Sequence, residues 1–410
     1  MNVWLVNPFD SLPGEDARLQ RYPRLAAAFS AAGWNATLWT AGFSHVFKRE
    51  RAPGAAGGPN PWRTVFVPVP PYFSNVSLAR VRSHRAFAAR FLTLARSKTS
   101  AGEIAAPDLI VASTPPPSAA QAALVFARET RCKTIVDIQD AWPETFARLV
   151  PLPWRAAREA AARVLFAGAF RRERAILAGA DGVSAVAARY LELADAAHSR
   201  APRLLSRLCI DLPPRAERAR KAPGDPVKLA YAGSLGRTYD LESAVRAVAA
   251  VPDSMLEIAG GGAEEGRLRK LARRCPRITF RGHLGAGALA EMLAGCDIGL
   301  VPMAPDAFVG TPGKLADYAA AGLAVANTLP GETQSLIARY SAGFQYEFRS
   351  ARALEEAVRK AIAEPQKIAE MGANARRMAE EIFPADSACA AFLEFAKEIA
   401  GRGADFRKTT

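Results

Sequence analysis

The sequence predicts an α/β protein made of two doubly wound parallel sheets. Three observations carry this reading. Short runs rich in Val, Ile and Leu alternate with longer segments of helical period, the order expected of βαβ units. The alternation stops over residues 198–226, which are rich in Arg, Pro and Lys and poor in large apolar residues, and then starts again. The chain has 410 residues, 50% of them hydrophobic, enough for two cores. The expected division is an N-terminal domain at 1–200, a C-terminal domain at 201–383, and a last helix with a tail at 384–410.

In the first half, strand Val3–Asn7 leads into the turn-rich loop Pro8–Glu15, a helix from Ala17 to Ala32 ended by Gly33, and strand Asn35–Thr40. Ligands of such sheets bind beyond the carboxyl ends of the strands, which puts Pro13-Gly14-Glu15 at a cleft mouth. The loop lacks the G-x-G-x-x-G spacing of a dinucleotide site. Residues 41–77 are loop-rich around a short strand Thr64–Val67, and His45, Lys48, Arg49 and Arg51 stand there as candidates to meet an anionic acceptor. Strand Asp108–Ser113, helix Ser118–Thr130 and strand Lys133–Ile138 follow. Asp140 falls just past that strand, either capping the next turn or acting at the same cleft mouth. Asp137 and Asp140 lack metal-pair spacing and a third ligand, so no metal is expected. A helix is predicted over Trp154–Ala178, then strand Gly182–Ser184 and a short strand near Leu208.

The second half has strands at Val227–Ala232, Met255–Ala259, Ile278–Arg281, Asp297–Met303 and Leu323–Asn327, and closing helices at Ala351–Glu364, Pro365–Ile382 and Pro384–Ala400. Its first strand runs into Gly233-Ser234-Leu235-Gly236-Arg237, where two glycines allow close backbone approach and Arg237 offers a planar fork for phosphate. Gly260-Gly261-Gly262 reads as a tight turn, because Glu264 and Glu265 behind it would repel phosphate. The stretch Gly310–Gly322 reads either as a helix with an anion site at its tip or as an ordinary capped helix with a surface ion pair. Thr311 caps, Pro312 opens the helix, Gly313 and Lys314 present free N–H groups with a positive charge, and Asp317 shares the face of Lys314. A cation for phosphate and a carboxylate for hydroxyls suit a sugar nucleotide.

The formal net charge is +14, which points to anionic partners. One basic cluster runs from Arg80 and Arg82 to Lys98, another from Arg155 to Arg174; both alternate with apolar residues as on amphipathic helices facing an anionic membrane surface. No zinc finger or RNP-type pattern supports nucleic acid. Five scattered cysteines without C-x-x-C fit a reducing compartment. The N-terminus lacks a signal-peptide pattern and no apolar run reaches membrane-spanning length, so a cytoplasmic protein, peripheral on the inner membrane face, is expected.

Several motifs together resemble the GT-B glycosyltransferases of the large retaining family 4, over nearly the whole chain. They are Tyr231–Leu241, Ile258–Gly262, Phe280–Leu284 and Pro312–Gly322, with Asn7-Pro8, Pro13-Gly14-Glu15, Trp39-Thr40, Phe43-Ser44-His45 and Asp140–Glu144 resembling members that build bacterial O-antigen and exopolysaccharide. The resemblance implies two Rossmann-like domains facing across a cleft, the last helix crossing back to the first. It implies a UDP-sugar donor, no metal cofactor, and a polyprenyl-diphosphate-linked saccharide acceptor. Arg237 and Lys314 would grip the diphosphate and Asp140 would lie near the reacting sugar. Gly14, Glu15, Ser234, Gly236, His283, Thr311, Pro312, Gly313 and Asp317 would contact the donor, and His45, Lys48 and Arg82 the acceptor. The family's Glu-x7-Glu pair is replaced by Val309 and Asp317.

Two rivals follow from the same residues. A UDP-sugar epimerase would need more acid–base groups around the sugar than four histidines suggest. A non-catalytic sugar-nucleotide-binding partner would account for Val309 and Asp317. A P-loop is excluded, because Phe308 stands where glycine is required and Leu315 where Ser or Thr is.

Overall fold

A computed structural model describes residues 1–15, 20–51, 60–214, 222 and 225–402. The chain forms two compact units, Met1–Arg207 with the segment from Asp386 onward, and Leu208–Ala385.

The first unit contains β1 (Asn2–Val6), α1 (Arg21–Ala31), β2 (Asn35–Ala41), the short β3 (Phe43–Ser44) and β4 (Arg49–Glu50), and β5 (Arg63–Val67). Next come α2 (Leu78–Ser100), β6 (Leu109–Thr114), α3 (Pro117–Thr130), β7 (Lys133–Ile138) and a 3-10 turn at Glu144–Leu149. It continues with α4 (Arg155–Leu165), α5 (Ala167–Ala178), β8 (Gly182–Ala185), α6 (Ala188–Ala196) and β9 (Arg203–Leu205). Seven strands pair in the order β5-β2-β1-β6-β7-β8-β9, all parallel. Burial on both faces explains why these strands read as continuous apolar runs rather than alternating ones.

The second unit contains β10 (Val227–Ala232), α7 (Leu241–Ala250), β11 (Ser254–Ala259), α8 (Glu265–Ala272), β12 (Ile278–Gly282), α9 (Ala286–Ala294) and β13 (Ile298–Val301). It continues through α10 (Gly313–Ala320), β14 (Ala324–Asn327), α11 (Glu332–Tyr340), β15 (Gly343–Gln345), α12 (Ala351–Ala363) and α13 (Pro365–Ile382). Its parallel sheet runs β12-β11-β10-β13-β14-β15. The final helix, α14 (Ala385–Gly401), puts Phe392, Phe395 and Ile399 into the core of the first unit beside Val3, Leu5 and Phe29.

Four local departures have physical reasons. The first helix is described from Arg21, not Ala17; residues 16–19 lie outside the described residues, as do the glycines at 54, 57 and 58 of the second loop. The helix expected over Trp154–Ala178 is two helices broken at Phe166, whose non-helical backbone is followed by Gly168 and whose ring packs on Phe146 at 5.3 Å. The short strand expected near Leu208 lies at Arg203–Leu205, as the edge of the first sheet. The β3–β4 hairpin and β15 are too short to show a period-2 pattern.

One buried ion pair ties the first unit across its sheet. Arg21 donates from Nε and Nη2 to both oxygens of Asp137 at 2.8 and 2.9 Å, and Ser184 Oγ donates to Asp137 at 2.6 Å. Both side chains are almost wholly buried. The carboxylate is therefore structural, and Asp137 stands apart from Asp140 in role. Arg21→Met should destabilise the first unit by about 3–5 kcal/mol, because it strands a buried carboxylate. The double variant Arg21→Met/Asp137→Leu should recover most of that loss in urea unfolding.

Candidate donor and acceptor sites

The strand order of the second sheet reverses between β10 and β13, the position where doubly wound sheets bind ligands. The loop after β10 is Gly233–Arg237, and the helix after β13 is α10, which carries Lys314. The first loop is braced from below. Gly233 N–H donates to Ala259 O at 3.0 Å and Leu235 N–H to Gly261 O at 3.0 Å. A Cβ on Gly260 (φ +122°) would lie 2.0 Å from Gly233 O, and one on Gly262 2.5 Å from Leu235 O. The triple glycine is thus more than a turn: it lets one loop lie flat against another.

Lys314 occupies the space beneath Gly233. It is 9% exposed, and its Nζ makes no hydrogen bond among the described residues. The amine sits 4.0 Å from the ring centre of Tyr231 and 3.8 Å from that of Tyr239. A Cβ on Gly233 would be 3.1 Å from it. Burial pushes its pKa well below the ordinary lysine value, and Asp317 opposes that only in part. Two aromatic faces hold the amine where a carboxylate would be expected. Tyr231 Oη donates to Ser234 O at 2.7 Å, so the cage and the loop are one construction. The helix is anchored by Tyr318, whose Oη accepts from Ala232 N–H at 2.8 Å and whose ring fills the space left by Gly299.

The helix start differs from expectation. Pro312, in extended conformation, is the N-cap, and α10 begins at Gly313. Thr311 lies one residue too early to cap; its Oγ1 is buried and makes no hydrogen bond among the described residues. Thr333 Oγ1 donates to Gly310 O at 2.7 Å and pins the segment. Two buried polar groups without hydrogen-bond partners, Thr311 Oγ1 and Lys314 Nζ, therefore flank the tip of one helix. Buried polar groups are ordinarily satisfied, which makes this helix tip a candidate binding site. Asp317 is partly buried one turn on, and Val309 packs against the core.

Arg237 is placed differently. Its side chain is 94% exposed, with Nε 3.4 Å from Glu264. Glu264 also accepts from Arg267, which ranks above Arg237 in holding its carboxyl below the usual range. Ser234 and His283 are exposed, and His283 covers Gly261.

In the first unit, Gly14 is exposed at φ +85°. Glu15 is not available to a ligand: it accepts from Arg51 Nε at 2.8 Å and from Leu12 N–H at 2.8 Å, both groups buried. Arg51 also donates to Thr40, Ala41 O and Asp10 O, locking the loop after β1. Asp140 is partly buried; Ala141 N–H donates to Oδ1 at 2.9 Å and Trp142 Nε1 to Oδ2 at 3.1 Å. Burial raises its pKa despite these bonds and nearby Arg80.

His45 and Lys48 come together in the β3–β4 turn. Lys48 Nζ lies 3.3 Å from His45 Nδ1, 4.7 Å from the Tyr72 ring centre and 2.8 Å from Asn75 Oδ1. Arg82 is exposed and does not share their face. Instead Arg80 and His84, one turn apart on α2, face the cluster: Arg80 lies 4.9 Å over Trp142 and 5.4 Å over Phe9, and donates to His84 Nε2 at 3.3 Å. Tyr72, Arg80, His84 and Trp142 were not singled out from the sequence as site residues. The available signal was Ser77, which caps α2 by accepting from Arg80 N–H and so fixes which face Arg80 and His84 share.

Residues 214–378, most of the second unit, match the family model for glycosyl transferases group 1. No curated protein matches the chain. The fold is that of the GT-B glycosyltransferases, as three solved structures illustrate. Sucrose-phosphate synthase from Thermosynechococcus elongatus is 15% identical with a TM-score of 0.73, covering 98% of this chain and 100% of that one. Anabaena HepE, solved with UDP and glucose, is 15% identical with a TM-score of 0.65, covering 97% and 100%. WaaG, a glycosyltransferase involved in lipopolysaccharide biosynthesis, is 15% identical with a TM-score of 0.56, covering 97% and 100%.

The lysine cage makes a stability prediction. Lys314→Met should raise the stability of the unliganded protein by about 0.5–2 kcal/mol, since it replaces a buried amine lacking an anion. The folded-state pKa is lowered, so the folded protein binds fewer protons than the unfolded one between that value and the ordinary lysine value. The gain should therefore be full below this window and shrink as pH rises through it. Urea unfolding at several pH values checks the sign; a variant less stable than the parent throughout would contradict it.

Proposed function

We propose that the protein transfers a sugar, with retention and without a metal, from a UDP-sugar to a lipid-linked saccharide in bacterial surface-polysaccharide synthesis. The observation that carries this is Lys314: a buried amine with no hydrogen-bond partner, at a helix tip and beneath a glycine loop. Breaking the glycosidic bond of a nucleotide sugar leaves charge on the departing diphosphate. A cation and backbone N–H groups fixed in advance stabilise that charge. The match of residues 214–378 to glycosyl transferases group 1, and the UDP and glucose bound by HepE, support the same reading.

In this reading Lys314 and the N–H groups at Gly313 and Lys314 take the diphosphate. Arg237 leaves its weak surface contact with Glu264 and closes on it from outside. Thr311 and Ser234 hydrogen-bond to the donor, and Asp317 holds hydroxyls. The diphosphate takes the acceptor proton, and Asp140 sits by the reacting sugar. Exposed Leu149, Leu152, Trp154, Val164 and Leu165, beside Arg155 and Arg163 around α4, suit peripheral attachment to an anionic membrane. Among the described residues no helix is long and apolar enough to cross a membrane.

A thermal-shift screen of nucleotide sugars should single out a UDP-sugar, with about 2.7 kcal/mol of stabilisation at a hundredfold excess over Kd. Where pH enters the lowered titration range of Lys314, donor binding should be accompanied by proton uptake, because a bound diphosphate favours the charged amine, and affinity should fall as pH rises. Calorimetry in buffers of different ionisation enthalpy reads the uptake directly. Lys314→Met should cut turnover by roughly a hundredfold or more. Binding without proton exchange, or unchanged turnover in the variant, would remove the basis of the proposal.

A further inference from the structure

Helix α5 buries a carboxyl group where its pattern calls for an apolar side chain. Glu173, Ile176 and Leu177 form its inward face, and Glu173 is 6% exposed. The group it meets is a second carboxyl, that of Glu144, at the start of the 3-10 turn. The two side chains hydrogen-bond to each other. Glu144 Oε2 is buried and receives no N–H or hydroxyl donor among the described residues. Two carboxylates in a dry contact repel, and each oxygen in it lacks a donor. One proton held between them removes both defects. Burial raises the pKa of both groups, and for Glu173 the neighbouring Glu144 adds to the rise. The cations that oppose this through space are Arg163 of α4 and Arg174 of α5, and Arg148 belongs to the same turn as Glu144. On the other helices packed against α5, Arg128 of α3 lies by Gly179 at the far end, and Arg189 of α6 faces Arg155, Glu159 and Glu192.

The turn that Glu144 opens is continuous with Asp140. Trp142 donates to Asp140 twice, from N–H to the carbonyl O at 3.1 Å and from Nε1 to Oδ2 at 3.1 Å. Thr145 N–H donates to Ala141 O at 3.0 Å and Phe146 N–H to Pro143 O at 2.8 Å, so residues 140–146 form one hydrogen-bonded piece. This piece is tied to α5 and its junction with α4 by Phe146, whose ring lies 5.3 Å from that of Phe166, and by Glu144 on Glu173. The ring contact tolerates sliding. The carboxyl contact is directional, and it lasts only while a proton is present. On the α2 side, Arg80 lies over the Trp142 ring and the His84 ring is 6.0 Å from it; burial and Arg80 push His84 down to about 3, so it stays neutral above that.

We propose that Glu144 and Glu173 share a single proton, and that this hydrogen bond holds the Asp140–Trp142 turn in place, making the two glutamates positioning residues for Asp140. The folded protein keeps this proton more tightly than the unfolded chain does. The pair therefore contributes stability at low pH that is lost as pH rises through its raised titration range. The part played by Asp140 rests on the proposed transfer reaction; the shared proton does not.

The test is the emission of Trp142 in the full chain between pH 5 and pH 10, taken as the difference from the same protein carrying Trp142→Phe. The parent should show one single-proton transition on the way to alkaline pH. Glu173→Gln keeps a donor without a titrating proton, so it should hold the low-pH emission throughout, as should Glu144→Gln. Glu173→Leu keeps the burial and loses the hydrogen bond, so it should show the alkaline emission at every pH. Urea midpoints should fall with rising pH in the parent by more than in either Gln variant, and cooperative unfolding in each variant shows that it folds. Turnover should fall along the same transition in the parent, in kcat and not in KM for the donor, and the Gln variants should retain it. A transition that persists in both Gln variants, or a Leu variant that behaves as they do, would overturn the proposal. A kcat profile identical in the parent and the Gln variants would leave the pair to the fold alone and overturn its positioning role. If the emission behaves as expected but the parent transfers no sugar, the transfer reading fails and the shared proton stands.

Discussion

An amine enclosed by two tyrosine rings, with no ion pair among the described residues and only Asp317 acting on it through space, is the constraint around which this end of the second unit is arranged. Burying an ammonium without a carboxylate is unfavourable, and the fold offsets this only with the π faces of Tyr231 and Tyr239. Neighbouring features follow from that choice. Gly233 takes a backbone conformation (φ +142°) that side chains rarely adopt, and a Cβ there would crowd Nζ at 3.1 Å. Gly260 and Gly262 must lack one because the Gly233 loop rests on them. Gly299 must lack one to seat Tyr318, which holds α10 against β10. A carboxylate in place of the cage would stabilise the resting protein and neutralise the charge that the proposed diphosphate would meet.

The first unit solves the opposite problem with the opposite device. Arg21 and Asp137 form a buried two-bond pair, with Ser184 donating to the same carboxylate. Arg51 and Glu15 do likewise for the loop after β1. Against these closed pairs, the bonds of Lys48 and Arg80 to neutral acceptors stand out. Arg80 also bonds to Tyr72 and feels Asp140 through space, so these cations are only partly compensated.

The architecture was legible because parallel strands covered on both faces leave long apolar runs, and the break between the units shows as a loss of large apolar residues. The tip of α10 was legible for the same local reasons: a proline, a glycine and a lysine in one turn. Lys314 is where that reading places a cation, although Thr311 does not cap. What could not be read was partnership. Nothing near Glu15 in sequence announces Arg51, thirty-six residues away. Nothing near Lys314 announces Tyr231, which arrives from β10. On α2, Arg80 and Arg82 look alike in a basic stretch; only the cap at Ser77 and the helical period send one inward and leave the other outside. Long-range pairing decides whether a charged residue is scaffold or site, and it is the part that a linear pattern does not contain.

The same distinction alters what the net charge of +14 means. Much of the basic surface is matched one turn away: Arg155 with Glu159, Arg246 with Glu242, Arg269 with Glu265, Arg352 with Glu356 and Arg359 with Glu355. Such exposed pairs contribute little to stability and leave only a diffuse field, screened within about a Debye length, ~8 Å at physiological salt. That field can draw the protein toward an anionic surface, but it cannot tell one phosphate compound from another. Selectivity has to come from cations held in fixed places without a carboxylate, in surroundings dry enough for the charge to be felt. Lys314 meets that condition in the second unit, and Lys48 and Arg80 approach it in the first. The candidate sites are therefore set apart by a few cations in fixed places, and the excess of arginine on the rest of the surface is secondary to them.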